Sequence, residues 1–251
     1  MALVELTAGA ADGVRLLTLN DPDRRNALSP ALQVELGAAV DAVGADPAAR
    51  VLVVAGNGSA FSAGADLPAL FGNVDREIAE IRTGLHAVYE SFLRVRRLAI
   101  PTIAAVHGAA VGAGVNLAMS CDVRIAGPGA RFGVTFIKLG LHPGGGCTYF
   151  LTRTLGRQRA MSLILDGGTL DAEEALRVGL VLEVVDDPLG AAIERAAGWA
   201  AIDPALSRDI KRAVAIAEQG DFDATLDFES WAQAASTRNP LLAEAIARFT
   251  R

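Results

Sequence analysis

The feature that most constrains this chain is a pattern it carries twice. In VLVVAGNGSAFSAGADL (Val51 to Leu67) and AAVHGAAVGAGVNLAMSCD (Ala104 to Asp122), a run with the character of a buried strand breaks into small residues and then into a helical pattern. Each stretch therefore sets a helix N-terminus beside a strand end. The first turn has Ala63, Gly64 and Ala65 before Asp66, and the second has Gly112, Ala113 and Gly114 before Asn116. Small residues let a ligand approach the main chain, and the unpaired N–H groups of a helix's first turn point outward with a partial positive charge. Two such turns can converge on one oxygen, which is how an oxyanion hole is made. Tight strand-to-helix packing explains either turn alone; their order and spacing together are more specific.

Four motifs, FSAGADL, AAVHGAAVGAGVNLAMSCDVRIA, FGVTFIKLGLHPGGG and LDGGTLDAEEALRVGLVLEVV, follow one another along nearly the whole chain. In sequence and order they resemble the crotonase superfamily, the enoyl-CoA hydratase/isomerase family. The resemblance implies an α/β fold, a crotonase-like spiral of repeated ββα units over residues 1–187 that holds a CoA-thioester site. It further implies a C-terminal helical region, 188–251, for assembly into a homotrimer or a dimer of trimers. Trp199, Trp231 and Phe249 are its packing anchors, whether within the chain or between copies. The expected substrate is an acyl-CoA, so coenzyme A arrives as part of the substrate and no separate cofactor or metal is implied.

Matched position by position, the resemblance makes the N–H groups of Ala65 and Ala113 the donors to the thioester oxygen. Asp23 to Leu28 passes along the adenosine end of coenzyme A, where Arg24 and Arg25 are either phosphate partners or solvated loop arginines. Ala27, Ala63, Ala65, Asp66 and Leu67 complete the expected CoA-binding set, with Asp66 capping a helix or touching the CoA arm. Gly112, Phe136 and Pro143 are assigned to the substrate pocket, roofed by the helical stretch Val74 to Leu98. His86 lies one residue from the apolar line of that stretch, where it either reaches the pocket or sits on the helix surface.

A hydratase of this family uses two carboxylates to position water and move its proton. Their positions are held here by Asn116 and Phe136. An amide can hold water but cannot take its proton at neutral pH, and a phenyl ring can do neither. A dienoyl isomerase would place an acid near Gly144, also absent. His142, in the bend that lines the family's pocket, is either an acid, base or holder of water, or a loop histidine bonded to its own turn. Tyr149 and Asn116 are further candidates for holding. Three readings stay open: a hydratase or isomerase with Asn116 and His142 in place of the glutamates, another crotonase-type reaction such as thioester hydrolysis or decarboxylation, and an acyl-CoA-binding protein without catalysis.

The chain of 251 residues is 51% hydrophobic but only 5% aromatic, so its core must be built from Ala, Val, Leu and Ile. A net charge of −6 without a dense Lys/Arg cluster argues against nucleic-acid or anionic-membrane partners, and no apolar run reaches spanning length. The N-terminal stretch has no signal or transit pattern, so a cytoplasmic protein is expected. Cys121 and Cys147 fall in no CxxC or Cys/His cluster and read as buried fillers sooner than as nucleophiles. Val14 to Leu19 and Leu180 to Val185 read as strands, Pro30 onward as a helix capped by Ser29, and Pro68 to Asn73 as a mobile connection. Asp203-Pro204, Gly220 and Asn239-Pro240 punctuate the terminal helices. Ala243-Glu244-Ala245 departs from the acidic-Gly pair usual at the family's end.

Overall fold

The computed structural model describes residues 2–73 and 75–249, the Phe249 side chain excepted. The expectations for Val74 and the Phe249 side chain lie outside the described residues. Contacts divide the chain into two units, Met1–Ala200 and Ala201–Arg251.

The first unit holds two sheets. The larger runs in the order β1 (Val4–Ala8), β2 (Val14–Leu19), β3 (Val51–Gly56), β5 (Thr102–Val106), β7 (Val123–Ala126) and β10 (Glu183–Val184). The smaller is β4 (Ala60–Ser62), β6 (Ala109–Val111), β8 (Arg131–Gly133) and β9 (Thr169–Asp171). Three times a strand of the large sheet is followed directly by one of the small sheet: β3 by β4, β5 by β6, β7 by β8. Helices follow each pair: α2 (Leu67–Phe71) and α3 (Ile78–Arg97), then α4 (Ala113–Ser120), then α5 (Cys147–Leu165). These are the expected ββα turns, with parallel pairing between successive turns in both sheets.

The side-chain alternation of a strand, with period two, explains why the large sheet is covered on both faces. In β3, Leu52 and Val54 enter the main core, while Val51, Val53 and Ala55 face a second cluster on the other side. In β5, Ala104 and Val106 take the first side and Ile103 and Ala105 the second. The first face packs α1 (Pro30–Ala45), α3 and α4. The α1 cap is as expected: the Ser29 side chain accepts the Leu32 N–H at 3.3 Å, and Pro30 occupies the first turn.

The second face is closed by α7 (Pro188–Ala200), whose buried Ala192 and Ala196 let the helix lie close on the strands, with Trp199 beside them. The sheet-bound unit thus runs to Ala200 and not to 187, because α7 belongs to it. Other differences are local. Pro68 to Asn73, expected as a connection, is helical as far as Phe71 as part of α2, initiated by Asp66, whose carboxylate accepts the Ala69 N–H. The strand expected over Leu180 to Val185 pairs only at Glu183 and Val184, after α6 (Ala172–Arg177). The sequence reading passed over β1, an antiparallel edge strand on β2.

The second unit is helical throughout: α8 (Pro204–Glu218), α9 (Phe222–Ser236) and α10 (Pro240–Phe249). The expected punctuation is present as caps, Asp203 accepting the Ala205 and Leu206 N–H groups and Asp221 that of Ala224. Trp231 is 59% exposed and stacks on Phe228, and Ile210, Val214 and Leu226 are also exposed.

Candidate functional site

The two signature turns meet. Gly64 adopts φ +90°, and a side chain there would drive its first carbon onto the Val111 carbonyl oxygen and to 3.2 Å from the Ala113 nitrogen. The loop before α2 and the start of α4 are therefore in main-chain contact. Ala113 opens α4, so its N–H has no acceptor within the helix. Among the described residues no protein acceptor takes the N–H of either Ala65 or Ala113. The Ala63 N–H, by contrast, is held by the Arg25 carbonyl at 2.8 Å, and the Gly112 N–H by Gly133 at 2.9 Å. Gly114 is pressed against Ser62, a carbon added there lying 3.0 Å from the Ser62 Cβ.

What holds the first turn in place is Asn26, which the sequence reading passed over. It is fully buried with φ +54°. Its amide donates to the carbonyls of Asn57 and Ala60, both at 2.9 Å, and of Phe61 at 3.3 Å, while its Oδ1 accepts the Asp21 N–H at 2.9 Å. The Ser62 hydroxyl donates to the Asn26 carbonyl at 2.8 Å and accepts the Gly64 N–H at 3.2 Å. A buried Asn offers both donors and an acceptor, and tolerates the left-handed backbone. The asparagine between arginine and alanine in DRRNAL is the one local signal for it.

The residues expected to bind the CoA arm lie along one edge. Leu28 bridges to Ala65, and its N–H donates to Gly64 at 2.7 Å. Ala27 is half-buried beside it, and Leu67 is exposed at the start of α2. Arg24 pairs with Asp66 at 2.7 Å, and its guanidinium holds the Asp66 carboxyl below the usual carboxylate range. Asp66 also caps α2, one of the two roles expected of it. Arg25 is exposed, with φ +52°.

Where the acyl chain is expected, Asn116 is 1% exposed and stands one helical turn beyond Ala113. Its Nδ2 donates to the Gly144 carbonyl at 2.8 Å. A carbonyl only accepts, so the amide must present nitrogen there, and Oδ1 is left buried without a partner among the described residues. The Phe136 ring closes over Gly112, within 3.6 Å of where a side chain would start. Tyr89 and Phe92 from α3 meet edge to face and press on Gly145, where an added carbon would lie 3.1 Å from Tyr89 Cδ1 and 2.9 Å from Phe92 Cζ. The helix expected as a roof thus packs on the Gly144–Gly145 turn.

His142 is not drawn into this group. Its ring is exposed and its Nδ1 hydrogen-bonds the adjacent Pro143 carbonyl at 2.7 Å, the second of the two alternatives its position allowed. His86 is exposed on α3, and Tyr149 is exposed between Arg96 and Arg153. Burial pushes the Cys147 thiol up to about 12, and Cys121 is buried as well. Among the described residues no cluster of His, Cys, Asp or Glu could hold a metal, and no helix is long and apolar enough to cross a membrane.

Strand pairs that step repeatedly from one sheet to another, with a helix after each, define the spiral ββα class of α/β proteins. The chain belongs to the enoyl-CoA hydratase/isomerase family of enzymes, within the crotonase superfamily: the family's model matches residues 9–249. It is 53% identical over 188 residues to a protein named probable enoyl-CoA hydratase echA14 from Mycobacterium tuberculosis, covering 75% of this chain and 72% of that one. It is 35% identical over 240 residues to the 1,2-epoxyphenylacetyl-CoA isomerase of Escherichia coli, covering 94% and 92%. The solved enoyl-CoA hydratase of Bacillus anthracis superposes with a TM-score of 0.89 at 31% identity, covering 99% of this chain and 97% of that one.

Proposed function

We propose that this chain processes an acyl-CoA thioester by stabilising negative charge on the thioester oxygen between the N–H groups of Ala65 and Ala113. The observation that carries this is the seating of Gly64 against Val111 and Ala113, which brings two separate loops with unengaged amides together. Preset main-chain donors about 3 Å from a developing oxyanion contribute several kcal/mol in a dry site. The adenosine end of coenzyme A lies along residues 23–28 and 63–67, with Arg25 facing solvent as the phosphate partner. Relatives whose names specify different reactions share a CoA thioester, which supports the substrate class and leaves the reaction to the acyl pocket.

Asn116 and Phe136 stand where the family's hydratases carry glutamates, so the reaction is an isomerisation, or a hydration in which the protein supplies no carboxylate base. Hydrolysis and decarboxylation need the same oxyanion site. The Phe136 ring over Gly112 favours a second reading, an acyl-CoA-binding protein without turnover. The protein works in the cytoplasm as a homotrimer or a dimer of trimers; exposed Ile210, Val214, Leu226 and Trp231 support self-association.

Incubation with a panel of 2-enoyl, 3-enoyl and saturated acyl-CoA esters, with products followed by mass spectrometry, tests the assignment. Turnover of one ester class supports the enzyme and names its reaction. Saturable binding of all esters without product supports the second reading, and absence of binding overturns both.

A further inference from the structure

The turn from β3 to β4 carries a chemistry that the CoA site does not use. It is built on an Asn-Gly pair, Asn57 and Gly58, and both residues are exposed. Glycine is required in the second place: its φ is +83°, and an added carbon would lie 2.6 Å from the Pro22 Cβ. An asparagine followed by glycine is the pair most prone to close into an imide, because no side chain shields the following nitrogen.

Closure is open on the surface side of this turn and opposed underneath. Among the described residues no acceptor takes the Gly58 N–H, so this nitrogen can lose its proton to solvent and attack. The Asn57 side chain has one restraint, its Nδ2 donating to Asn20 Oδ1 at 2.9 Å, and Asn20 is tied in turn to Glu5 at 2.7 Å. A hydrogen bond of this kind contributes about 0.5–1.5 kcal/mol, and at the surface it opens readily. The main chain is held at three points. The Asn57 N–H donates to Leu19 at 2.8 Å, the Asn57 carbonyl accepts from buried Asn26 at 2.9 Å, and the Gly58 carbonyl accepts from His107 Nε2 at 2.9 Å.

We propose that Asn57 is a self-modification site, converted to aspartate and isoaspartate in the native protein at a rate set by the Asn20 latch. The Gly58 nitrogen gives its proton to solvent and bonds to Asn57 Cγ. The Cγ–Nδ2 bond breaks, and the amide takes a proton from water and leaves as ammonia. A second water then opens the five-membered imide. Opening at Cγ gives aspartate and restores the chain. Opening at the main-chain carbonyl gives isoaspartate: the chain then runs through Cβ and Cγ, one atom longer, and the oxygen that Asn26 holds becomes part of a carboxylate. Because Asn26 also fastens the loop of Gly64, this product loosens the turn next to that loop.

The test keeps the whole protein at pH 8.5 and 37 °C over days, then follows the tryptic peptide of residues 51–76 by mass spectrometry. Electron-transfer fragmentation separates Asn57 from Asn73, and isoaspartate from aspartate. Native wild type is expected to gain an acid at Asn57, and Asn57→Gln to gain none, since the longer side chain closes far more slowly. Asn20→Ala should raise the rate about two- to tenfold, the weight of one hydrogen bond. Glu5→Ala loosens the same edge but leaves Asn20 on Asn57, and its rate should match wild type. Modified protein, isolated by its extra negative charge on an anion exchanger, should melt several degrees below the unmodified. An Asn57 that stays intact in native protein overturns the proposal. Equal acceleration in Asn20→Ala and Glu5→Ala, or none in either, overturns the latch.

Discussion

Gly64 and Ala113 belong to loops separated by two strands and two helices, yet a side chain on the glycine would begin 3.2 Å from the alanine nitrogen. Gly64→Ala must both change a backbone at φ +90°, at a cost of about 1–3 kcal/mol, and push the loop off Val111. On the proposed reading, the amides of Ala65 and Ala113 then no longer face one oxygen. Loss of one oxyanion donor typically lowers turnover by about 10²–10³-fold. A drop of at least about 100-fold in kcat/KM is expected in Gly64→Ala, measured on the ester that the panel identifies. Near-normal turnover would remove the convergence of these loops from the mechanism.

Asn26 fastens the first of those loops from beneath, so its loss should appear in stability. Asn26→Ala strands the buried carbonyls of Ala60 and Phe61, the part-buried carbonyl of Asn57 and the Asp21 N–H, and a stability loss of roughly 3 kcal/mol is expected in urea unfolding. Asn26→Asp should be worse, because a carboxylate would confront carbonyls that now receive an N–H. A ranking with Asp milder than Ala would contradict the hydrogen-bond assignment.

Much of this arrangement was legible in the chain. The ββα order, the Ser29 cap and the two turns could be read because each rests on local pattern: buried runs of Val and Ala, a capping hydroxyl, small residues before a helix. What escaped depends on distant partners. Asn26 matters because Asn57, Ala60 and Phe61 point carbonyls at it, more than thirty residues away. Tyr89 sits on a helix whose apolar spacing gives its face but not the glycine turn below it. His142 is a candidate by residue type and by its place in the bend, but its ring bonds to the next carbonyl, a matter of side-chain conformation that the residue order does not set. The boundary at 187 followed the end of strand pattern, whereas Ala192 and Ala196 fit α7 to the sheet.

The Arg24–Asp66 pair gives a pH signature. The Asp66 carboxyl is held below its unfolded value, near 4, chiefly by the Arg24 hydrogen bond. Its contribution is therefore present at neutral pH and fades as the pH falls through the folded value. Asp66→Asn keeps a capping side chain for α2 and removes only the charge. The variant should melt below wild type at pH 7, by a small margin because Arg24 is half exposed, and the gap should close below about pH 4. A gap that persists at acid pH would assign the effect to the cap.

The same pair separates the two arginines toward coenzyme A. Arg24 already has a carboxylate, whereas the exposed Arg25 guanidinium has no acidic partner among the described residues. Arg25→Ala is expected to raise KM several-fold with kcat unchanged, and to do so more than Arg24→Ala. The difference should shrink at high salt, as a contact between an exposed cation and phosphate does. Equal effects of the two substitutions would argue that Arg24 leaves Asp66 when ligand binds.

Cys147 tests how two opposing influences on a thiol are resolved. It is the first residue of α5, directly after the glycine turn, and a helix N-terminus lowers thiol pKa values by favouring the thiolate. Burial acts the other way, since the charged form would lose its hydration, and the thiol is 1% exposed with its value pushed to about 12. Desolvation wins, leaving essentially no thiolate at neutral pH. Native protein should therefore show negligible reaction with Ellman's reagent at pH 8 over minutes and two thiols per chain after unfolding in urea, Cys121 being buried too. Cys147→Ala should retain turnover within a few-fold. Rapid labelling of the native protein with loss of activity would mean that the turn at Gly144–Gly146 opens readily, and would return this cysteine to the list of candidate nucleophiles.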